Sequence, residues 1–258
     1  MRKHSFIKTA AVLLCGVLTA GLTGGCGHKE VSLDDEHIIN YTAPEIGEEI
    51  CVITVKDYGD IKIKFFPEET EKGVENFKTL VKSGFYDELI FHRIIDGFMI
   101  QSGDPKGDGT GGVDAWGGDG FAQTISDRLI HTVGAVAYAI NPEDRLNQSQ
   151  FYIVTGDKAD DDYFKALASR GYQFSPYVKR IYNQFGGSAH LDGGYEIFGQ
   201  VFDGLDVCLE LQKVPTNSSD KPKSSVVIEK AEIVEYDGSG VNWLNWKGEP
   251  QSGINAEG

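Results

Sequence analysis

Residues 91–105 read Phe91-His92-Arg93-Ile94-Ile95-Asp96-Gly97-Phe98-Met99-Ile100-Gln101-Ser102-Gly103-Asp104-Pro105. The apolar residues of this segment predict short β-strands. Strand alternation would place Arg93 on one face with Phe91 and Ile95, which is an unusual position for a solvated charge. His92 falls on the opposite face, where we expect a packed structural histidine rather than a general base.

Short strands are predicted along the rest of the chain as well. A period of two at 50–55 and 61–65, with turn residues at 57–60, predicts a β-hairpin. Pro67 and the acids that follow it open a helix, which ends before Gly84. Further strands are predicted at 89–94, 98–102, 134–140, 150–155, 197–202 and 226–236, and helical segments at 157–185 and 205–214. Many short strands with few helices indicate a mainly β fold, either a barrel or a sandwich.

Composition and charge exclude several classes of protein. The 258 residues carry 24 Lys plus Arg against 39 Asp plus Glu, and the net charge of −15 argues against a nucleic-acid partner. With 40% apolar and 24% charged residues, the composition is that of a globular protein, neither disordered nor a multi-span membrane protein. The 32 glycines favour turn-rich β structure over a helical bundle.

The N-terminus has the pattern of a secretory signal. Arg2, Lys3 and Lys8 precede an uncharged run of small and apolar residues that stops at Cys26. This run resembles a bacterial lipobox, so residues 1–25 are predicted to be removed and Cys26 to be lipidated. Loss of the three basic residues would bring the net charge to 21 − 39 = −18. The alternative is a plain secreted protein that is cut nearby.

Three further segments follow from patterning. Polar, unpatterned residues 26–45 predict a flexible tether, and 46–236 the folded domain. Residues 237–258 form a tail with Trp243 and Trp246, either floppy or a strap that packs on the domain. Of the cysteines that remain, Cys51 and Cys208 are predicted to be buried thiols rather than a disulfide.

Other site chemistries find little support. The acidic loop 104–119 lacks the spacing and the closing glutamate of a calcium loop, so turn formation explains it better. Residues His92, His131 and His190 have no metal-ligand spacing, and no G-x-S-x-G motif is present. We therefore predict no metal and no cofactor.

Several ordered motifs carry a family resemblance. The segment 91–105, followed by Gly109-Thr110-Gly111-Gly112, closely resembles the cyclophilin signature. Further matches follow in order: His131-Thr132 with Gly134, Ser149-Gln150-Phe151-Tyr152-Ile153, Leu191-Asp192-Gly193, and Phe198-Gly199-Gln200-Val201. The resemblance spans residues 48–236. It implies a closed eight-stranded antiparallel β-barrel capped by two helices, here with a helical insertion at 157–185, that isomerises the peptide bond preceding proline.

Isomerisation of this bond requires loss of amide resonance, a barrier of about 18–20 kcal/mol, but no bond is broken. As the amide twists, the imide nitrogen gains a lone pair, and a guanidinium directed at it stabilises the transition state more than the planar ground state. Arg93, permanently charged and rigid, is the candidate catalytic residue.

The resemblance also assigns a substrate groove. It implies a proline pocket of Phe98, Met99, Tyr152 and Leu191. Gln101 would hold substrate backbone, and Gln150 is a further polar position of the pocket. Further groove residues are Ala139, Asn141 and His190.

Three positions depart from the family pattern. Tyr152 stands where many relatives have phenylalanine, and its hydroxyl needs a partner. Tyr195 stands where many have histidine. His190 occupies the position of a tryptophan on which cyclosporin packs, so weak cyclosporin binding is expected. The aromatic-rich insertion 157–185 either forms a flap near the groove or packs as ordinary core.

These features predict a monomeric, extracytoplasmic peptidyl-prolyl isomerase, lipid-anchored to the bacterial cell membrane, that acts on X-Pro bonds of exported polypeptides. The alternative is a proline-peptide-binding module or holdase chaperone with little turnover. An adhesin that uses the insertion or the tail has no specific support.

Overall fold

The structure, a computed structural model, describes residues 38–141 and 143–240. Its strands form one antiparallel sheet in the order β3-β4-β6-β5-β7-β2-β1-β8. The strands are β1 Glu49–Val55, β2 Gly59–Phe65, β3 Arg93–Ile95, β4 Met99–Ser102, β5 Ala135–Tyr138, β6 Phe151–Val154, β7 Ile197–Asp203 and β8 Ile228–Glu235. The helices are α1 Pro67–Lys82, α2 Asp161–Ala168, α3 Pro176–Phe185 and α4 Leu205–Leu211, with a 3₁₀ turn at Ala189–Leu191. None of the helices in the described ranges is long and apolar enough to cross a membrane.

The sheet curls into a barrel, but the predicted closure is incomplete. Strands β3 and β8 are the two ends of the strand order. Single contacts beside these strands bridge the gap: an isolated bridge joins Ile90 to Val227, and the amide of Ile94 donates to the carbonyl of Asp220 at 2.8 Å. Since β3 has only three residues, it offers no continuous ladder to β8. The seam instead consists of separate hydrogen bonds.

Aromatic side chains fill the interior of the barrel. The apolar face of α1 brings Phe77 against Phe198, with ring centroids 4.8 Å apart, and against Phe151, edge-on at 5.3 Å. All three side chains are fully buried. Burial of each contributes about 1.5–3 kcal/mol, so α1 is held by its contacts rather than by helix propensity alone.

The predicted alternation along 91–95 is only partly correct. Ile95 packs on the outer face of the sheet, as expected for a neighbour of Arg93, but Phe91 lies in the interior core together with Ile94. Regular strand geometry begins only at Arg93, and the alternation rule does not extend across the irregular backbone before it.

The folded domain begins earlier than predicted. Residues 38–41 were expected within the tether, yet Asn40 is completely buried, and its side chain exchanges hydrogen bonds with the backbone of Ile130, both at 3.0 Å. The hydroxyls of Tyr41 and Thr132 are 2.7 Å apart. The segment 38–41 reads Ile38-Ile39-Asn40-Tyr41, an apolar stretch at the end of a polar region, and its partners are distant in sequence. The folded domain therefore includes residues from 38 onward rather than from 46.

The insertion at 157–185 is helical, as predicted. Side chains of Asp160 and Ser175 cap α2 and α3, accepting from the amides of Tyr163 and Val178. Buried apolar residues of both helices join the main core.

Both cysteines in the described ranges, Cys51 and Cys208, are free thiols and fully buried, and burial raises the pKa of each. The disulfide alternative is therefore not realised in the structure. The predicted signal, Cys26 and the two tail tryptophans lie outside the described residues.

Candidate active site

Strand register builds the site on the outer face of the sheet. Arg93 on β3 pairs with Gln101 on β4. Gln101 also pairs with Tyr152 on β6, and Tyr152 pairs in turn with Ala137 on β5. Residues paired in this way share one face of a sheet. The cation, the amide and the aromatic ring predicted from sequence therefore form one row across three strands.

An apolar cluster lies beside this row. Met99 and Tyr152 are buried in it, and Phe98, Ala139 and Leu191 pack against it half-buried. The four predicted pocket residues and Ala139 are thus brought together, although they come from sequence positions between 98 and 191. This cluster is separate from the larger core that contains Phe77, Phe151 and Phe198.

Arg93 is the half-exposed cation at the edge of this cluster. Its Nε lies 3.5 Å from Oδ2 of Asp220, and both side chains keep over two-fifths of their surface exposed. Sequence reasoning missed Asp220, which lies in the patternless loop before β8. Asp220 has a positive φ of 60°, which is uncommon for a non-glycine residue and is visible in the structure alone.

The two predicted glutamines form a chain of amides. Nε2 of Gln101 donates to Oε1 of Gln150 at 2.9 Å, and Nε2 of Gln150 donates to the carbonyl of Gly111 at 2.6 Å. This chain ties the glycine-rich loop to β4 and β6. Side-chain Oε1 of Gln101 has no partner among the described residues, so it can accept a hydrogen bond from a peptide N–H.

Carboxylates of the acidic loop are engaged by its own backbone. The carboxylate of Asp104 accepts from the amides of Lys106, Asp108 and Gly109. Burial opposes its charged form, but these donors outweigh that cost and hold the pKa of Asp104 below its ordinary value. At Gly111 a Cβ would collide with this carboxylate, so the absence of a side chain there serves the loop itself.

Below Tyr152 lies a buried hydrogen-bond network. Nδ1 of His131 is 2.9 Å from Oδ1 of Asp192, and the hydroxyl of Tyr182 donates to Oδ2 at 2.7 Å. The rings of His131 and Tyr152 stack with centroids 6.1 Å apart. This network connects Tyr182 on the insertion helix α3 to Tyr152, one of the predicted pocket residues.

The hydroxyl of Tyr152 is buried and has no hydrogen-bond partner among the described residues. Burial raises the pKa of this phenol well above its ordinary range. Its ring meets Tyr195 edge-on at 6.1 Å. The departure from phenylalanine therefore places an unsatisfied polar group at the pocket floor, which is unfavourable for stability.

Two predicted groove residues have different surroundings. His190 stacks on Phe98, with centroids 5.6 Å apart and the rings inclined by 27°, so it borders the pocket. Asn141 is not joined to the apolar cluster, because its side chain hydrogen-bonds within its own turn, to the amide of Glu143 and to the carboxylate of Asp144.

His92 is buried, and both its ring nitrogens lack partners among the described residues. Burial lowers the pKa of this imidazole. The side chain is packed, as expected of a structural histidine.

A buried glutamate, Glu196, immediately precedes β7 and holds two loops together. Oε2 of Glu196 accepts from the amide of Thr124 and from Nδ2 of Asn147, both at 2.7 Å, while Oε1 has no partner in the described residues. Burial raises the pKa of Glu196 to about 7. No sequence pattern distinguished this acid from the exposed ones.

Known proteins are similar to this chain in sequence and in fold. Residues 50–233 match the family described as cyclophilin type peptidyl-prolyl cis-trans isomerase/CLD. A relative from Staphylococcus aureus strain N315, provisionally named as a peptidyl-prolyl cis-trans isomerase, is 37% identical over 187 residues, covering 72% of this chain and 93% of its own. A relative from Streptococcus pyogenes serotype M6, provisionally named as a bifunctional phosphatase/peptidyl-prolyl cis-trans isomerase, is 37% identical over 223 residues. That match covers 85% of this chain but 45% of the streptococcal protein.

Solved structures give the same result. The cyclophilin type isomerase of Cryptosporidium parvum, crystallised in the presence of the dipeptide Ala-Pro, has 28% identity and a TM-score of 0.57, covering 72% of this chain and 99% of its own. A second structure of that protein gives a TM-score of 0.58, covering 73% of this chain and 98% of its own. The fold, the row of site residues and these similarities agree, and the chain belongs to the cyclophilin-type peptidyl-prolyl cis-trans isomerase family.

Proposed function

We propose that this chain isomerises X-Pro bonds of exported polypeptides at the outer face of the bacterial cytoplasmic membrane, where a lipid on Cys26 anchors it. The observation that carries the catalytic part is the position of Arg93, half-exposed at the edge of an apolar cluster on the outer face of the sheet. A proline ring in the cluster would bring its imide nitrogen close to the guanidinium.

Isomerisation of an X-Pro bond needs only groups that are present in the row of Arg93, Gln101 and Tyr152 and in the apolar cluster beside it. The proline ring is bound by the apolar side chains of Phe98, Met99 and Tyr152, while side-chain Oε1 of Gln101 accepts a hydrogen bond from the neighbouring peptide backbone. Rotation gives the imide nitrogen a lone pair, to which the guanidinium of Arg93 donates. This interaction is absent from the planar ground state, so it lowers the barrier. One such placed donor contributes a factor of about 10²–10³ in rate.

An exported client is supported by the N-terminal pattern and by kinetics. The basic start, the small apolar run and Cys26 have the order of a lipoprotein signal. Uncatalysed X-Pro isomerisation takes tens of seconds or longer, during which an exported chain is exposed to aggregation and proteolysis. An enzyme held at the membrane surface meets such chains as they emerge.

The lipid anchor is tested with the full chain expressed in a Gram-positive host supplied with radiolabelled palmitate. We expect label in the membrane fraction, no label for Cys26→Ser, and full label for the control Cys15→Ser, because Cys15 lies within the removed signal. Mass spectrometry of the N-terminus locates the cut. Equal labelling of all three chains, or a mature protein without lipid, contradicts the anchor.

The isomerase activity is tested separately, with a short Ala-Pro peptide and the purified chain. Acceleration of cis-to-trans exchange supports the proposal. Binding of the peptide without acceleration would make the protein a proline-peptide-binding module or holdase. We further propose that cyclosporin binds weakly, because His190 offers less flat apolar surface than tryptophan does.

A further inference from the structure

The insertion 157–185 contacts His190, which borders the predicted proline pocket. The hydroxyl of Tyr163, on α2, lies 3.3 Å from Nδ1 of His190. The hydroxyl of Tyr172, which follows α2, donates to the backbone carbonyl of His190 at 3.1 Å. Two tyrosines of the insertion therefore hold the side chain and the backbone of the same residue.

His190 in turn contacts the pocket. Its imidazole stacks on the ring of Phe98, and Phe98 packs against the apolar cluster that would receive the proline ring. A continuous path of contacts thus runs from α2 through Tyr163 and His190 to Phe98. The ring of Tyr163 is itself fixed by an edge-on contact with the buried Phe164, with centroids 5.5 Å apart.

The electrostatic surroundings favour a neutral imidazole. Burial lowers the pKa of His190, and the nearby His131 and Arg170 act in the same direction, while Asp192 opposes them. At pH 7 and above, a neutral ring whose Nδ1 carries no proton accepts a hydrogen bond from the Tyr163 hydroxyl. The phenol of Tyr163 stays protonated there, because burial raises its pKa to about 12.

We propose that Tyr163 is a positioning residue for the proline pocket, which fixes the imidazole of His190 against Phe98 and thereby sets how tightly the pocket holds proline. This role rests on the proposed isomerase function. Without the hydroxyl, the imidazole gains other rotamers, and the Phe98 wall loses a fixed neighbour. The insertion then acts on substrate binding rather than on the rotation step, which belongs to Arg93.

The test compares Tyr163→Phe with Tyr177→Phe in the full chain. Tyr177 lies on α3 of the same insertion and has no contact with His190 among those observed, so it controls for loss of a phenolic hydroxyl. We expect Tyr163→Phe to raise KM for an Ala-Pro peptide about threefold to tenfold, as loss of one hydrogen bond predicts, with little change in kcat. Tyr177→Phe should change neither.

A second readout does not depend on activity. An NMR titration follows the pKa of His190, which should rise in Tyr163→Phe because the donor that stabilised the neutral ring is gone. In a His190→Ala background, Tyr163→Phe should have no further effect on KM, since the path is already broken.

Three outcomes overturn the proposal: an unchanged KM, an unchanged His190 titration, or additive effects in the double variant. An inactive wild-type chain would instead overturn the proposed function, and the titration would still show whether Tyr163 controls His190.

Discussion

Nε of Arg93 lies 3.5 Å from Oδ2 of Asp220. A backbone hydrogen bond joins the same two segments of the chain. The carbonyl of Asp220 accepts the amide of Ile94 at 2.8 Å, so the carboxylate is held one residue from the strand position of Arg93. Contact at Nε leaves the two terminal nitrogens of the guanidinium directed elsewhere. Among the described residues they have no hydrogen-bond partner, which suits donation to a substrate.

Asp220→Asn is therefore expected to lower kcat/KM about two- to fivefold, the range for an exposed ion pair, by loosening the orientation of Arg93. The difference should shrink at 1 M salt, which screens exposed charges. Asp57→Asn is the matched control, since Asp57 also has a positive φ, of 68°, and lies in the remote β1–β2 turn. A peptide isomerisation assay at two salt concentrations checks this, and unchanged or increased activity of Asp220→Asn would refute the orienting role.

Much of this arrangement was predictable because it depends on local pattern. Alternation of apolar and polar residues predicts the hairpin of β1 and β2, and Pro67 predicts the start of α1. The family motifs imply the catalytic role of Arg93 and the residues of the proline pocket. Asp220 and Asn40 were not predictable, since their partners are remote in sequence and neither residue lies in a periodic segment. The break in alternation at His92 also needed tertiary information, because the short strand β3 begins only where it meets β4.

Tyr152→Phe is expected to stabilise the protein by about 1 kcal/mol, because it removes a buried hydroxyl that has no partner. Activity should stay within about twofold, as the ring that lines the pocket remains. Tyr182→Phe is the opposite case. Its hydroxyl donates to Asp192 at 2.7 Å, so the same change should cost about 1–3 kcal/mol by leaving the carboxylate without that donor.

Urea unfolding of both variants measures these free energies. A loss of stability in Tyr152→Phe would mean that its hydroxyl has a partner after all.

Glu196 should make stability depend on pH. Burial raises the pKa of Glu196 to about 7 in the folded state, from its ordinary value of 4.5, so the folded state binds more protons between these values. The free energy of unfolding should therefore fall as pH rises from about 4.5 to 7, and level off above. Glu196→Gln should remove this slope and be more stable than wild type at pH 8.

Chemical denaturation at a series of pH values measures the difference in the free energy of unfolding between wild type and Glu196→Gln. Glu49→Gln serves as control, because the pKa of Glu49 is lowered by Lys82 and Lys78 and its titration lies below this window. Parallel pH profiles for wild type and Glu196→Gln would show that Glu196 does not titrate as described.

Cyclosporin affinity is expected to depend on His190. Replacement with tryptophan should tighten binding by about tenfold or more, since a larger aromatic surface is buried against the ligand. Calorimetric titration of wild type and His190→Trp at micromolar concentrations measures the change. Tight binding by the wild type, or no gain in the variant, would contradict the role given to this position.

The most direct test of the catalytic account is the rate of cis-to-trans exchange in a short Ala-Pro peptide with Arg93→Ala. The exposed Arg180 on α3 provides the control variant Arg180→Ala. We predict that Arg93→Ala lowers kcat/KM by about 10²–10³, the effect of removing one transition-state donor, while the fold and peptide binding persist and Arg180→Ala keeps full activity. Activity of Arg93→Ala equal to that of the wild type would show that the guanidinium does not stabilise the twisted amide.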